Sequence, residues 1–240
     1  MTSGVLTRTH RGSAADLVRS AVLATGPGRF WGPQDFADLE VPATAVDRAL
    51  QRLKASGELV SVRRGLYYRG RQRPWGMSRP SAQEVIAVIA GKRGVGPAGL
   101  SAANDLGLST QVPGTYLVAV VGSVPRDFPT VHFVDRRARA ARRTASLQAR
   151  EVAILEVLDA WDDVLEVSRA TAVNLLAAML LDGSVKPARL VAGSLDEPPA
   201  GRERLRAVLT RAGLSDLVGK VARAAASGTR DHALAGLAAA

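Results

Sequence analysis

Apolar residues recur near the start of the chain with a helical period and then with a strand-like one. In PATAVDRALQRLKASGELVSVRRGLYYR (residues 42–69), Val46, Ala49, Leu50 and Leu53 fall at i, i+3, i+4 and i+7, one apolar stripe on a helix. Pro42 suits the first helical position, where its missing N–H would be unpaired anyway. Gly57 suits the left-handed cap that ends a helix. Residues 59–62 and 66–68 then read as short strands about Arg63-Arg64-Gly65, a hairpin signal. Upstream, Ser13-Ala14-Ala15-Asp16 resembles a capping box with Asp in place of Glu or Gln. Leu17, Val18, Ala21 and Val22 line one side of the helix it would start, which reaches about Ala24. Gly26-Pro27-Gly28 breaks that helix, and residues 33–38 predict a short second one. Residues 1–12 are small, polar and basic, and predict a loose arm.

On the helix after Pro42, the face opposite the stripe carries Thr44, Arg48 and Gln51, flanked by Asp47 and Arg52. Arg and Gln can make paired hydrogen bonds to guanine and adenine edges in the major groove. Arg63 and Arg64 stand at the hairpin turn, where phosphates can meet them. Three helices and a basic hairpin within 75 residues have the layout of a winged helix-turn-helix. The competing reading is an ordinary amphipathic helix with a solvated polar face.

Residues 69–76 are polar, basic and broken by Gly and Pro, and they predict a boundary between domains at 1–75 and 76–240. Beyond it, helices are expected at 81–90, 98–106, 147–160, 168–181, 201–212 and 214–226, with strands at 116–121 and 131–134. The expected class is α+β, mainly helical: a winged helix-turn-helix followed by a mixed α/β C-terminal domain.

Charge sharpens the picture. The chain has 32 Lys+Arg against 22 Asp+Glu, net +10, and a pI near 11.0. That balance favours a polyanionic partner, and arginine supplies nearly all of it, a side chain that grips phosphate in two-pronged fashion. A GC-rich coding sequence would enrich arginine too. The distribution is uneven: residues 1–75 carry net +6, 126–150 net +5, 151–200 net −6 and 201–240 net +4. There is no cysteine, which excludes disulfides and cysteine–zinc sites. No secretory signal or membrane-length apolar run is visible, so a cytoplasmic protein is expected.

Few catalytic patterns survive inspection. Residues 94–99, GVGPAG, match G-x-G-x-x-G, but a helix precedes them and no acidic residue lies between Asp105 and Asp127, as a dinucleotide site requires. Asp159, Asp162, Asp163 and Glu166 have helical spacing, yet none of His10, His132 and His232 is close in sequence; a solvated helix end is the simpler reading. There is no G-x-S-x-G. No enzyme, metal or cofactor is expected. Arg136, Arg137, Arg139, Arg142 and Arg143 crowd eight positions. They read either as a solvated helix or as a second basic surface for phosphates or an acidic partner.

AVDRALQRL (45–53), GEL (57–59), RRGLY (63–67) and LSAANDLGLS (100–109) together resemble the AbiEi-type antitoxin family of type IV toxin–antitoxin systems. The resemblance is clearest over residues 13–121. It implies an N-terminal winged helix-turn-helix that binds double-stranded operator DNA and represses its own operon. It further implies a C-terminal domain that counteracts a nucleotidyltransferase toxin. The alternative expectation is a plain winged-helix regulator whose C-terminal domain senses a ligand or binds nucleic acid.

Overall fold

The computed structural model describes residues 12–126 and 130–237, so the expected arm lies almost wholly outside it. The class is α+β, with helices predominating over three small sheets among the described residues. The chain divides into two units between Val85 and Ile86.

The first unit opens with α1 (Ala14–Ala24), and its capping box works with aspartate. The Asp16 N–H donates to Ser13 Oγ at 3.2 Å, and the Ser13 N–H donates to the Asp16 carboxylate at 3.1 Å. β1 (Arg29–Trp31), a 3₁₀ helix (Pro33–Leu39) and α2 (Ala43–Ala55) follow. Pro42 is the N-cap of α2 and not its first residue. Gly57, at φ +75°, ends the turn after α2. β2 (Val60–Arg63) and β3 (Leu66–Arg69) close the hairpin. β1 pairs antiparallel with β3 through Phe30↔Tyr68, giving a sheet ordered β1-β3-β2. Three residues are too few to show a period, so β1 is missing from the sequence reading. Val18 and Val22 of α1, Val46, Leu50 and Leu53 of α2, Trp31, Phe36 and Tyr67 form one core. Each fully buried aliphatic there contributes about 1.5–3 kcal/mol relative to exposure.

Residues 69–76 are not a linker. The Arg69 guanidinium donates to the carbonyls of Val22, Leu23 and Thr25, satisfying the end of α1 that no helical N–H can reach. The next residues form a hairpin of β4 (Gln72–Arg73) and β5 (Gly76–Met77). The expected boundary at residue 75 therefore moves to Val85, inside α3 (Ala82–Ile89). Composition alone cannot separate a Gly/Pro-rich hairpin from a Gly/Pro-rich linker.

The second unit contains β6 (Gly96–Pro97), α4 (Gly99–Asp105), β7 (Tyr116–Val120), β8 (Val131–Asp135), α5 (Ala141–Thr144), α6 (Ala149–Asp159), α7 (Trp161–Val164), α8 (Arg169–Leu181), α9 (Pro187–Gly193), α10 (Pro199–Arg211), α11 (Ser215–Val218) and α12 (Ser227–Leu234). β7 pairs antiparallel with β6 and parallel with β8. α6 lies at the centre, with every residue from Glu151 to Leu158 buried, as a helix surrounded by protein requires. The glycines of residues 94–99 serve packing: a Cβ on Gly96 would stand 2.5 Å from the Ala149 carbonyl oxygen of α6. The helix expected at 214–226 stops after one turn, where Arg206 donates to the carbonyls of Val218 and Val221. No helix among the described residues is long and apolar enough to cross a membrane.

Candidate nucleic-acid interface

α2 buries Val46, Ala49, Leu50 and Leu53, so its opposite face must point outward. Thr44, Arg48, Gln51 and Arg52 are all exposed there. Among the described residues, Arg48 and Arg52 have no hydrogen bond or ion pair through their side chains, and neither do Arg63 and Arg64. Arg63 and Arg64 sit at the β2–β3 turn, where Gly65 takes φ +72° so that the chain can reverse. Four guanidinium groups thus stand on one unit without partners among the described residues. No Asp or Glu occurs in residues 59–83.

Gln51 differs from its neighbours. Its Nε2 donates to the Tyr67 hydroxyl at 2.7 Å. Tyr67 is buried on β3, and burial, with Asp47 nearby, pushes its phenol above the usual range, so it stays protonated. This contact orients the Gln51 amide before any ligand arrives. Tyr67 is the residue that sequence reasoning missed, because the two side chains lie 16 positions apart on different elements. In the same unit, Arg19 of α1 pairs with Glu58 at 2.9 Å and holds that carboxyl below the usual carboxylate range.

The expected second basic surface is largely absent. Arg142 is fully buried, with Nε donating to Glu197 at 2.6 Å and Nη1 to Glu156 at 2.6 Å. Arg136 also binds Glu156, at 2.9 Å, and Arg139 reaches Glu156, Glu197 and Asp159. Arg137 pairs with Asp135 at the surface. Only Arg143 of the five is exposed without an ion pair among the described residues. Burial alone would raise the Glu156 carboxyl, but Arg136 and Arg142 outweigh it and hold the group below the usual range. The run is a structural ion-pair network, because the acidic residues that neutralise it come from α6 and the α9–α10 loop, remote in sequence.

Three of the four carboxylates in the acidic run are also engaged, and Asp163 is exposed. Asp159 binds Arg139, Asp162 binds Arg204 and Arg169, and Glu166 accepts from the Thr110 N–H and hydroxyl. In residues 100–109, the Ser101 hydroxyl accepts from the Leu117 N–H at 2.9 Å, and the Asn104 amide donates to the Ser109 carbonyl at 3.2 Å. Ser101, Ala102 and Ala103 are buried. These residues build the junction of α4 with β7.

Residues 21–131, somewhat under half of the chain, match the model of a family described as of unknown function (DUF6088). That region takes in most of the first unit and the start of the second. The crystal structure of the Rv2827c protein from Mycobacterium tuberculosis is similar over 89% of this chain and 83% of that chain, with 18% sequence identity and a TM-score of 0.47. No curated protein matches the sequence.

Proposed function

We propose that the first unit is a winged helix-turn-helix that binds double-stranded DNA, with α2 in the major groove and the β2–β3 turn as the wing. The observation that carries this reading is the pairing state of the arginines. Among the described residues, Arg48, Arg52, Arg63 and Arg64 have no carboxylate partner, whereas Arg136, Arg139 and Arg142 are neutralised inside the fold. Unpaired guanidinium groups on a helix face and an adjoining turn fit a phosphate-lined groove. In this reading Thr44 and Arg48 approach base edges, Gln51 reads beside them, and Arg52, Arg63 and Arg64 hold phosphates.

The protein then acts in the cytoplasm as a non-enzymatic binding protein that represses its own operon. The resemblance at residues 100–109 supports a further role for the second unit in counteracting a nucleotidyltransferase toxin. Selection from a random duplex library by the full chain tests the first part. An enriched motif supports it, and retention of all sequences alike contradicts sequence-specific reading. Co-expression with a nucleotidyltransferase encoded next to the gene tests the second part. Restored growth supports it, and unrelieved toxicity contradicts it.

A further inference from the structure

Trp31 and Trp161 are buried, whereas Trp75 is 85% exposed. An indole offers one of the largest apolar surfaces of any side chain, and leaving it in water forgoes that burial. Trp75 also stands on a built protrusion. Pro74 and Trp75 form the two-residue connection between β4 and β5, whose register pairs Gln72 with Met77 and Arg73 with Gly76. Below that ladder, the Ser78 N–H donates to the Arg71 carbonyl and the Arg71 N–H donates to Ser78 Oγ, both at 2.9 Å. Gly76 takes φ +113°, a conformation that side chains of ordinary residues resist, and a Cβ on Gly70 would clash with the Ser78 carbonyl. The geometry holds the indole outward.

The surroundings are basic. Residues 59–83 contain six arginines and no carboxylate. Arg69 is used at the end of α1, while Arg71, Arg73 and Arg79 are exposed without a side-chain partner among the described residues. The turn at Arg63-Arg64 and the β4–β5 hairpin leave opposite ends of β3, whose four residues span roughly 13 Å at 3.3 Å per residue. A single unit therefore presents two arginine-bearing turns, one of them tipped by an aromatic ring.

We propose that the β4–β5 hairpin is a second DNA-contacting element: Pro74 and Trp75 enter the minor groove as an apolar wedge, and Arg71 and Arg73 hold the phosphates on either side. Side chains of this kind part base steps in the minor groove when flanking cations anchor the backbone. The inference rests on the duplex-binding reading of the first unit. An anionic membrane would also accept Trp and Arg, but the hairpin belongs to the unit read as binding duplex, and guanidinium forks match phosphodiester oxygens.

Trp75 is the one exposed indole of three, so acrylamide quenching of intrinsic fluorescence reports on it selectively. The full chain is titrated with a mixed-sequence DNA duplex, with single-stranded DNA and with phosphatidylglycerol vesicles. The duplex shields Trp75 from acrylamide more strongly than either alternative. Trp75→Ala lowers duplex affinity by roughly five- to a hundred-fold, the range for loss of an aromatic–base stack, and Trp75→Phe keeps most of it. Circular dichroism of both variants matches the parent. Replacing Arg71 and Arg73 flattens the log–log salt dependence by about 0.9 per lost phosphate contact. If the parent and Trp75→Ala bind duplex equally and the indole stays open to acrylamide at saturation, the hairpin role is overturned and the α2 reading stands. If the parent does not bind duplex at all, both fall. Stronger shielding by vesicles or by single strands overturns the wedge.

Discussion

Gln51 of α2 donates its amide to the hydroxyl of Tyr67 on β3, at 2.7 Å, and so ties the outward face of a helix to the sheet behind it. Side chains held before binding lose less freedom on binding. Tyr67→Phe removes the acceptor while keeping the ring. The expected cost in folding stability is about 0.5–1.5 kcal/mol, the net worth of one hydrogen bond. On DNA, Tyr67→Phe and Gln51→Ala should relax preference at the same base position, by on the order of 1–3 kcal/mol for the latter. Competition against single-base variants of a selected duplex measures this. Unchanged preference in both variants would remove Gln51 from base reading.

The five arginines between residues 136 and 143 should separate sharply by stability. Arg142→Ala takes from Glu156 and Glu197 the one fully buried cation that bridges them, and the expected loss is about 3–5 kcal/mol. Arg143→Ala should leave the denaturation midpoint unchanged, because that side chain is exposed and unpaired among the described residues. Urea unfolding of the full chain distinguishes these cases. Equal midpoints for the Arg142 and Arg143 variants would contradict the buried network.

Acid should weaken the second unit through Glu166. The Thr110 backbone N–H is the main cause, with further hydrogen bonds from Gln111 and the Thr110 hydroxyl, and together they hold this carboxyl near pH 2 against an ordinary 4.5. A folded-state value below the unfolded one means stabilisation that is full above pH 4.5 and disappears as the pH falls towards 2. Glu166→Gln should flatten the melting temperature across that window and lower it at neutral pH. A parent and variant with parallel profiles between pH 2 and 5 would show that Glu166 is not responsible.

Much of the first unit was legible because its signals are local. The stripe Val46, Ala49, Leu50 and Leu53, the Ser13–Asp16 cap and the Arg63-Arg64-Gly65 turn each depend on residues within one turn or hairpin. β1 was not legible, since its pairing partner is 38 residues away at Tyr68 and its own three residues carry no period. The fate of the arginines was hidden for the same reason. Arg48 and Arg142 look alike in sequence, and only the arrival of Glu156 and Glu197 makes Arg142 a buried partner, while Arg48 is exposed. The charge reversal between residues 126–150 and 151–200 was readable as a composition shift, but the pairing at its centre, Arg136, Arg139 and Arg142 with Glu156, Asp159 and Glu197, was not.

Binding isotherms of the full chain at several salt concentrations test the roles of Arg48, Arg63 and Arg64 in DNA binding most directly. The parent is compared with Arg48→Ala and with the double variant Arg63→Ala, Arg64→Ala on a selected duplex and on a mixed-sequence one. Arg48→Ala should cost about 1–3 kcal/mol on the selected duplex, with a smaller loss on mixed sequence. The double variant should weaken both duplexes alike and reduce the log–log salt slope by about 0.9 per lost phosphate contact. Parent-like affinity and slope in both variants would contradict a DNA interface on α2 and the β2–β3 turn.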